Sequence, residues 1–164
     1  MTSKAAFNAE EWSVIVNAPY LAALLIMAAE RGGTVRETRA TSRAYAEARA
    51  HHEDPLLEAI LSTPPTLDPT SAPRTPADLH RAATATLRQA VGTLERVATE
   101  EEVNTYKRFV YHVAESVARA HRKGGFLGFG GTEVSEHEQA ALDEIAAIFD
   151  VPQSSQPHAG GARA

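Results

Sequence analysis

His112 and Glu115 stand three residues apart, the spacing at which one helix face presents two metal ligands to the inside of a helical bundle. Glu115 also precedes Arg119 by four residues, as in a surface ion pair, and no Glu-x-x-His pair supplies the further carboxylates of a two-metal site. A second group, His51, His52, Glu53 and Asp54, gathers potential ligands at a helix end, where neighbouring side chains diverge and Asp54 has a capping role. Arg36, Arg39 and Arg43 share a helix face that suits an anion or an acidic partner, or that is simply solvated with Arg43 paired to Glu47. The segment Gly124 to Gly131 carries Phe126, Leu127 and Phe129 on a glycine-rich backbone. It lacks both the Gly-Lys-Ser/Thr ending of a phosphate-binding loop and the preceding strand of a dinucleotide fingerprint. Two readings remain for it: a corner that folds back so that the aromatic rings cap the core, or an apolar tip that docks a partner, a lipid surface or a second copy, the last most simply as a symmetric dimer.

These residues need helices to hold them. Six places combine a side chain able to accept from an orphan backbone N–H with a helix-starting context: Asn8 with Glu11, Thr34 with Glu37, Asp54 before Pro55, Thr75 before Pro76, Thr99 with Glu102, and Ser135 with Glu138. Phe7 and Trp12 occupy the two positions of a hydrophobic staple around the first start. Gly32 and Gly33 stop the first helix, and Gly124 and Gly125 the fifth. Apolar residues step by three and four through Leu79, Ala83, Leu87, Ala90, Leu94 and Val97, and again through Val103, Tyr106, Val110, Val113, Val117 and Ala120. Leu142, Ile145 and Phe149 form a third stripe.

From Val14 to Ala29 the first helix is apolar on nearly all sides, which makes it the central, most buried helix. A membrane span is disfavoured, because the run is slightly short, contains Asn17 and Pro19, and has no basic flank. Pro19 removes the backbone bond to the carbonyl of Ile15, and Asn17 is the nearby side chain expected to satisfy that carbonyl or to face a small polar pocket. No stretch alternates long enough for a strand, and the proline-rich residues 63–74 form a loop.

The chain therefore reads as an all-α, single-domain bundle of five to six helices over residues 1–150, followed by a disordered tail over 151–164. A net charge of −5 without a basic face argues against nucleic acid. The absence of cysteine removes thiolate chemistry and suits a reducing cytoplasm, and no apolar signal core follows Met1. A cytoplasmic protein is expected.

Two corners resemble each other. Ala-Ala-Glu30-Arg-Gly-Gly-Thr34-Val-Arg-Glu37 ends one helix and starts the next, and Gly-Gly-Thr-Glu-Val-Ser135-Glu-His-Glu138 does so again. This pattern resembles the small helical family of the tellurite-resistance protein TerB, in which a helix ends in Ala-Asp-Gly and restarts with Ser-x-x-Glu. Glu30 stands where that Asp would be, Thr34 where Ser would be, and Gly131 replaces the acid of the second corner. The resemblance implies a stress-associated or regulatory module rather than an enzyme, with a divalent metal ion at Glu30 and Glu37 as the only cofactor it suggests. The sequence alone thus leads to a non-enzymatic module that binds a partner or itself through Phe126, Leu127 and Phe129. The alternative is an enzyme or small-ligand binder with a pocket inside the bundle near Asn17, Pro19 and Tyr20.

Overall fold

The computed structural model describes residues 1–29, 35–51, 53–66, 73–122 and 135–150, the side chains of 35–38, 121 and 122 excepted. Among these the chain forms a short 3-10 turn, Lys4–Ala6, and six α-helices: α1 (Ala9–Ala29), α2 (Val35–His51), α3 (Pro55–Ser62), α4 (Pro76–Val97), α5 (Glu100–Arg122) and α6 (Glu136–Phe149). The fold is an all-α bundle with α1 at its centre, packed against α4, α5 and α6, while α2 lies along the outer side of α5.

Helix starts follow from side-chain chemistry. Asn8 Oδ1 accepts from Glu11 N at 2.9 Å, and Glu11 Oε2 accepts from Asn8 N at 3.0 Å, a reciprocal box at the head of α1. The rings of Phe7 and Trp12 meet 5.9 Å apart, closing the staple around it. Asp54 caps α3 through Leu56 N and Leu57 N, Thr75 caps α4 through Asp78 N, and Ser135 and Glu138 form a full capping box on α6. Each cap satisfies donors that the first helical turn leaves without a partner. The Thr34 start lies outside the described residues, as do the stop glycines.

The apolar stripes are buried as their spacing requires: Ala83, Leu87, Ala90 and Leu94 on α4, Val103, Tyr106, Val110, Val113 and Val117 on α5, and Leu142, Ile145 and Phe149 on α6. Leu79 and Ala120 of these stripes are half-buried, and Val97, the last residue of α4, is exposed. Helix α1 is long and apolar enough to cross a membrane by length and composition, yet 61% of its most apolar window is buried within the bundle. Its all-round apolarity is explained by contact with every other helix except at its polar first turn, and Ile15, Ala18, Ala22 and Ala23 are wholly buried.

The expected role of Asn17 is corrected. The carbonyl of Ile15, which Pro19 deprives of its helical donor, accepts instead from Tyr106 Oη of α5 at 2.8 Å in a fully buried bond. Asn17 points the other way: its amide donates to Thr66 O at 3.0 Å and accepts from Thr66 N at 2.9 Å, pinning the interhelical loop as a neighbouring strand would.

Helix directions decide what meets what. Arg96 at the end of α4 pairs with Glu11 at the start of α1 at 2.8 Å, and Lys107 of α5 pairs with Glu95 of α4 at 2.9 Å. The starts of α1 and α5 therefore share one end of the bundle. Helix α2 runs antiparallel to α5, so its last turn and the start of α3 arrive at that same end.

Candidate binding groove

At that end the last turns of α2, the start of α3 and the first half of α5 enclose an open groove of about 960 Å³. Buried Leu57 and Phe109, with half-buried Ala48, form its apolar floor; Met1, 96% exposed, stands at the rim. The polar lining comes from Glu47 and His51 of α2, Glu53 and Asp54 before α3, and Thr99, Glu101, Glu102, Thr105, Arg108 and His112 around α5.

Several of these side chains are already engaged. Glu102 is buried, and its carboxylate accepts from Thr2 N at 2.6 Å, Thr2 Oγ1 at 2.8 Å, Thr99 N at 2.8 Å and Thr99 Oγ1 at 3.0 Å. Burial pushes this carboxyl up, but the hydrogen bonds from Thr2 and Thr99 outweigh it and hold it at about 2. Glu47 takes Arg43 Nε at 2.7 Å on one oxygen and faces His112 Nε2 at 3.5 Å with the other. Its carboxyl is held below the usual range chiefly by the Arg43 hydrogen bond. His51 Nδ1 lies 2.9 Å from the carbonyl of Glu47, so this nitrogen carries the proton and Nε2 is left toward the groove or solvent. Arg108 Nη2 donates to Thr105 Oγ1 at 3.1 Å. Arg49, two residues before His51, donates to the carbonyl of Leu61 and ties α2 to the end of α3.

Among the described residues Glu53 and Glu101 have neither a hydrogen-bond nor an ion-pair partner, and they are the free carboxylates of the rim. Beneath the floor, Tyr45 meets Phe109 edge-on, ring centroids 5.1 Å apart. The Tyr45 hydroxyl is buried with no hydrogen-bond partner, and burial pushes its phenol up to about 12.

The groove unites two features that sequence spacing kept separate, the His51–Asp54 corner and His112. It does not make them a metal site. His112 faces Glu47 while Glu115 turns to Arg119 at 2.6 Å, and no cluster of three or more His, Asp or Glu side chains fit to hold a metal occurs among the described residues. Glu30, Phe126, Leu127 and Phe129 lie outside the described residues; Glu37 falls in the first turn of α2, its side chain outside them too. Asn17, Pro19 and Tyr20 do not line the groove, since Asn17 is tied to Thr66 and Pro19 is buried in the core. The signal that sequence reading passed over was the crowding of two capped helix starts, Asp54 and Thr99, with free acids beside both. The chain matches no family model, and no curated protein and no solved structure matches it.

Proposed function

We propose that this chain is a non-enzymatic helical module of stress-response or regulatory type that binds a protein partner in the groove between α2, α3 and α5. The observation that carries the reading is the groove itself, a concavity with an apolar floor and a polar rim on which Glu47, Asp54 and Glu102 are held by structural bonds while Glu53 and Glu101 stay free. Catalysis by this lining would need a nucleophile, a base and a group orienting that base within hydrogen-bond reach of one another. The hydroxyl of Thr99 is committed to Glu102, that of Thr105 accepts from Arg108, and the Tyr45 phenol stays protonated below the floor. The resemblance of the Glu30 and Ser135 corners to the TerB-like family supports the same non-enzymatic class.

The test places a photo-crosslinking amino acid at Thr105, inside the groove, and at Arg88, exposed on α4, as a control. Irradiation in the producing cell is expected to give a discrete adduct from position 105 alone. Adducts of the same pattern from both positions, or none from position 105, would refute the reading.

A further inference from the structure

Resting on that reading of the groove, we infer that its occupant is a cationic amphipathic segment of a protein partner, with Lys or Arg along one side and aliphatic side chains along the other. Five carboxylates line the groove, Glu47, Glu53, Asp54, Glu101 and Glu102, against one guanidinium, Arg108. Glu47 is neutralised by Arg43, while Asp54 and Glu102 accept backbone donors, so Glu53 and Glu101 are left to meet an incoming cation. A second, shallower concavity of about 580 Å³ continues from the groove past Thr99, Glu100, Glu101, Asn104 and Arg108, and extends the acidic track along the first turn of α5.

Helix dipoles at this end act in the opposite sense. The starts of α3 and α5 bring positive dipole ends to the groove, which favours anions. Carboxylates sit at both starts, Asp54 as the cap of α3 and Glu102 reaching back to Thr99 N at the head of α5, and α5 carries Glu100 and Glu101 besides, so the acids exceed the roughly half charge of a dipole end. The end of α2 adds negative character of its own. To an anionic occupant the lining offers one guanidinium, Arg108, beside five carboxylates. The floor of Ala48, Leu57 and Phe109, with Met1 at the rim, then asks for aliphatic side chains on the occupant's other side.

Three fluorescent peptides of one length and one Leu pattern test this, with Lys, Gln or Glu at the polar positions, titrated against the full chain by polarisation at low and high salt. The Lys peptide is expected to bind tightest and to weaken with salt. Glu53→Gln with Glu101→Gln is expected to weaken it about threefold to thirtyfold, in line with the loss of two exposed ion pairs. Glu53→Lys with Glu101→Lys is expected to invert the order so that the Glu peptide binds best. Thr105→Trp, which fills the groove, is expected to abolish binding with an unchanged helical spectrum. If Gln and Lys peptides bind alike and Thr105→Trp abolishes both, the cationic occupant is overturned while the groove stands. If Thr105→Trp leaves binding unchanged, or no peptide binds, the groove reading falls as well. Binding of the Lys peptide that persists through both charge variants overturns the assignment of Glu53 and Glu101.

Discussion

Replacing Tyr106 by Phe removes one hydroxyl from the middle of the bundle, and its effect depends on a proline 87 positions earlier in the chain. Pro19 has no N–H to offer Ile15, and the orphaned carbonyl is buried against α5, where Tyr106 Oη reaches it at 2.8 Å. The phenol is raised well above its ordinary range chiefly by burial, so it remains a donor at any pH at which the protein folds. Losing one partner of a buried bond leaves the other desolvated and unpaired, at a cost of about 1–3 kcal/mol. For a chain of this size that lowers Tm by roughly 2–4 °C per kcal/mol. The decisive measurement is a double-mutant cycle with Pro19→Ala, read by urea denaturation. Alanine at 19 restores an N–H in register with Ile15 O, so Tyr106→Phe in that background is expected to cost about 1 kcal/mol less than in the parent. Equal costs in the two backgrounds would show that the tyrosine does not compensate for the proline.

Glu102→Gln is expected to flatten the acid limb of stability. The folded carboxyl is depressed from 4.5 to about 2, so its contribution is full above pH 4.5 and drains away as pH falls toward 2. At about 1.4 kcal/mol per unit, reduced by solvent screening, the parent should lose about 2 kcal/mol more than the variant across that window in urea titrations. Gly92→Ala should raise stability by about 0.5–1 kcal/mol in thermal melts, because a Cβ there meets nothing within 4 Å and the position lies inside exposed helix. Ile26→Ala, at a side chain 1% exposed in the central helix, should cost about 2–5 kcal/mol by urea midpoint. Tyr45→Phe should cost nothing, or stabilise by about 1 kcal/mol in the same assay, because it removes a buried hydroxyl with no partner.

Local chemistry was legible in the sequence, and long-range chemistry was not. The caps at Asn8, Asp54, Thr75, Thr99 and Ser135 depend on residues two or three places away, so residue type and spacing suffice to find them. The ion pairs Arg43–Glu47 and Glu115–Arg119 obey the same helical arithmetic. Helix stripes were equally readable, down to the buried Phe149 at the last turn of α6. The partner of the Ile15 carbonyl was not, because Tyr106 looks like any other member of an apolar stripe until α5 is laid beside α1. Nor was the groove legible. Its floor uses Leu57 and Phe109, apolar side chains that no spacing sets apart, and its rim joins His51 to Thr99 across nearly fifty residues. Only the packing of α2 on α5 turns two unremarkable helix ends into one concavity.

Helix directions also separate the proposed functions in space. Because α1 and α5 begin at the same end and α2 runs against α5, the end of α1, the start of α2 and the end of α5 lie together at the end opposite the groove. The Glu30–Glu37 corner connects the first two of these, and the segment bearing Phe126, Leu127 and Phe129 follows the third. The groove, at the start of α5, lies a bundle length away from these ends. Helices α1, α2 and α5 each run from one end to the other, and the contact of α2 with α5 lines the groove. Tyr45, whose ring packs on Phe109 in that contact, has the one phenol among Tyr45 and Tyr106 left without a partner. A shift of α2 breaks no hydrogen bond of Tyr45 and parts only the exposed Glu47–His112 pair, whereas a shift of α1 against α5 would break the buried bond from Tyr106 to Ile15. The α2 contact is therefore the softer of the two joints, and it forms the wall of the groove.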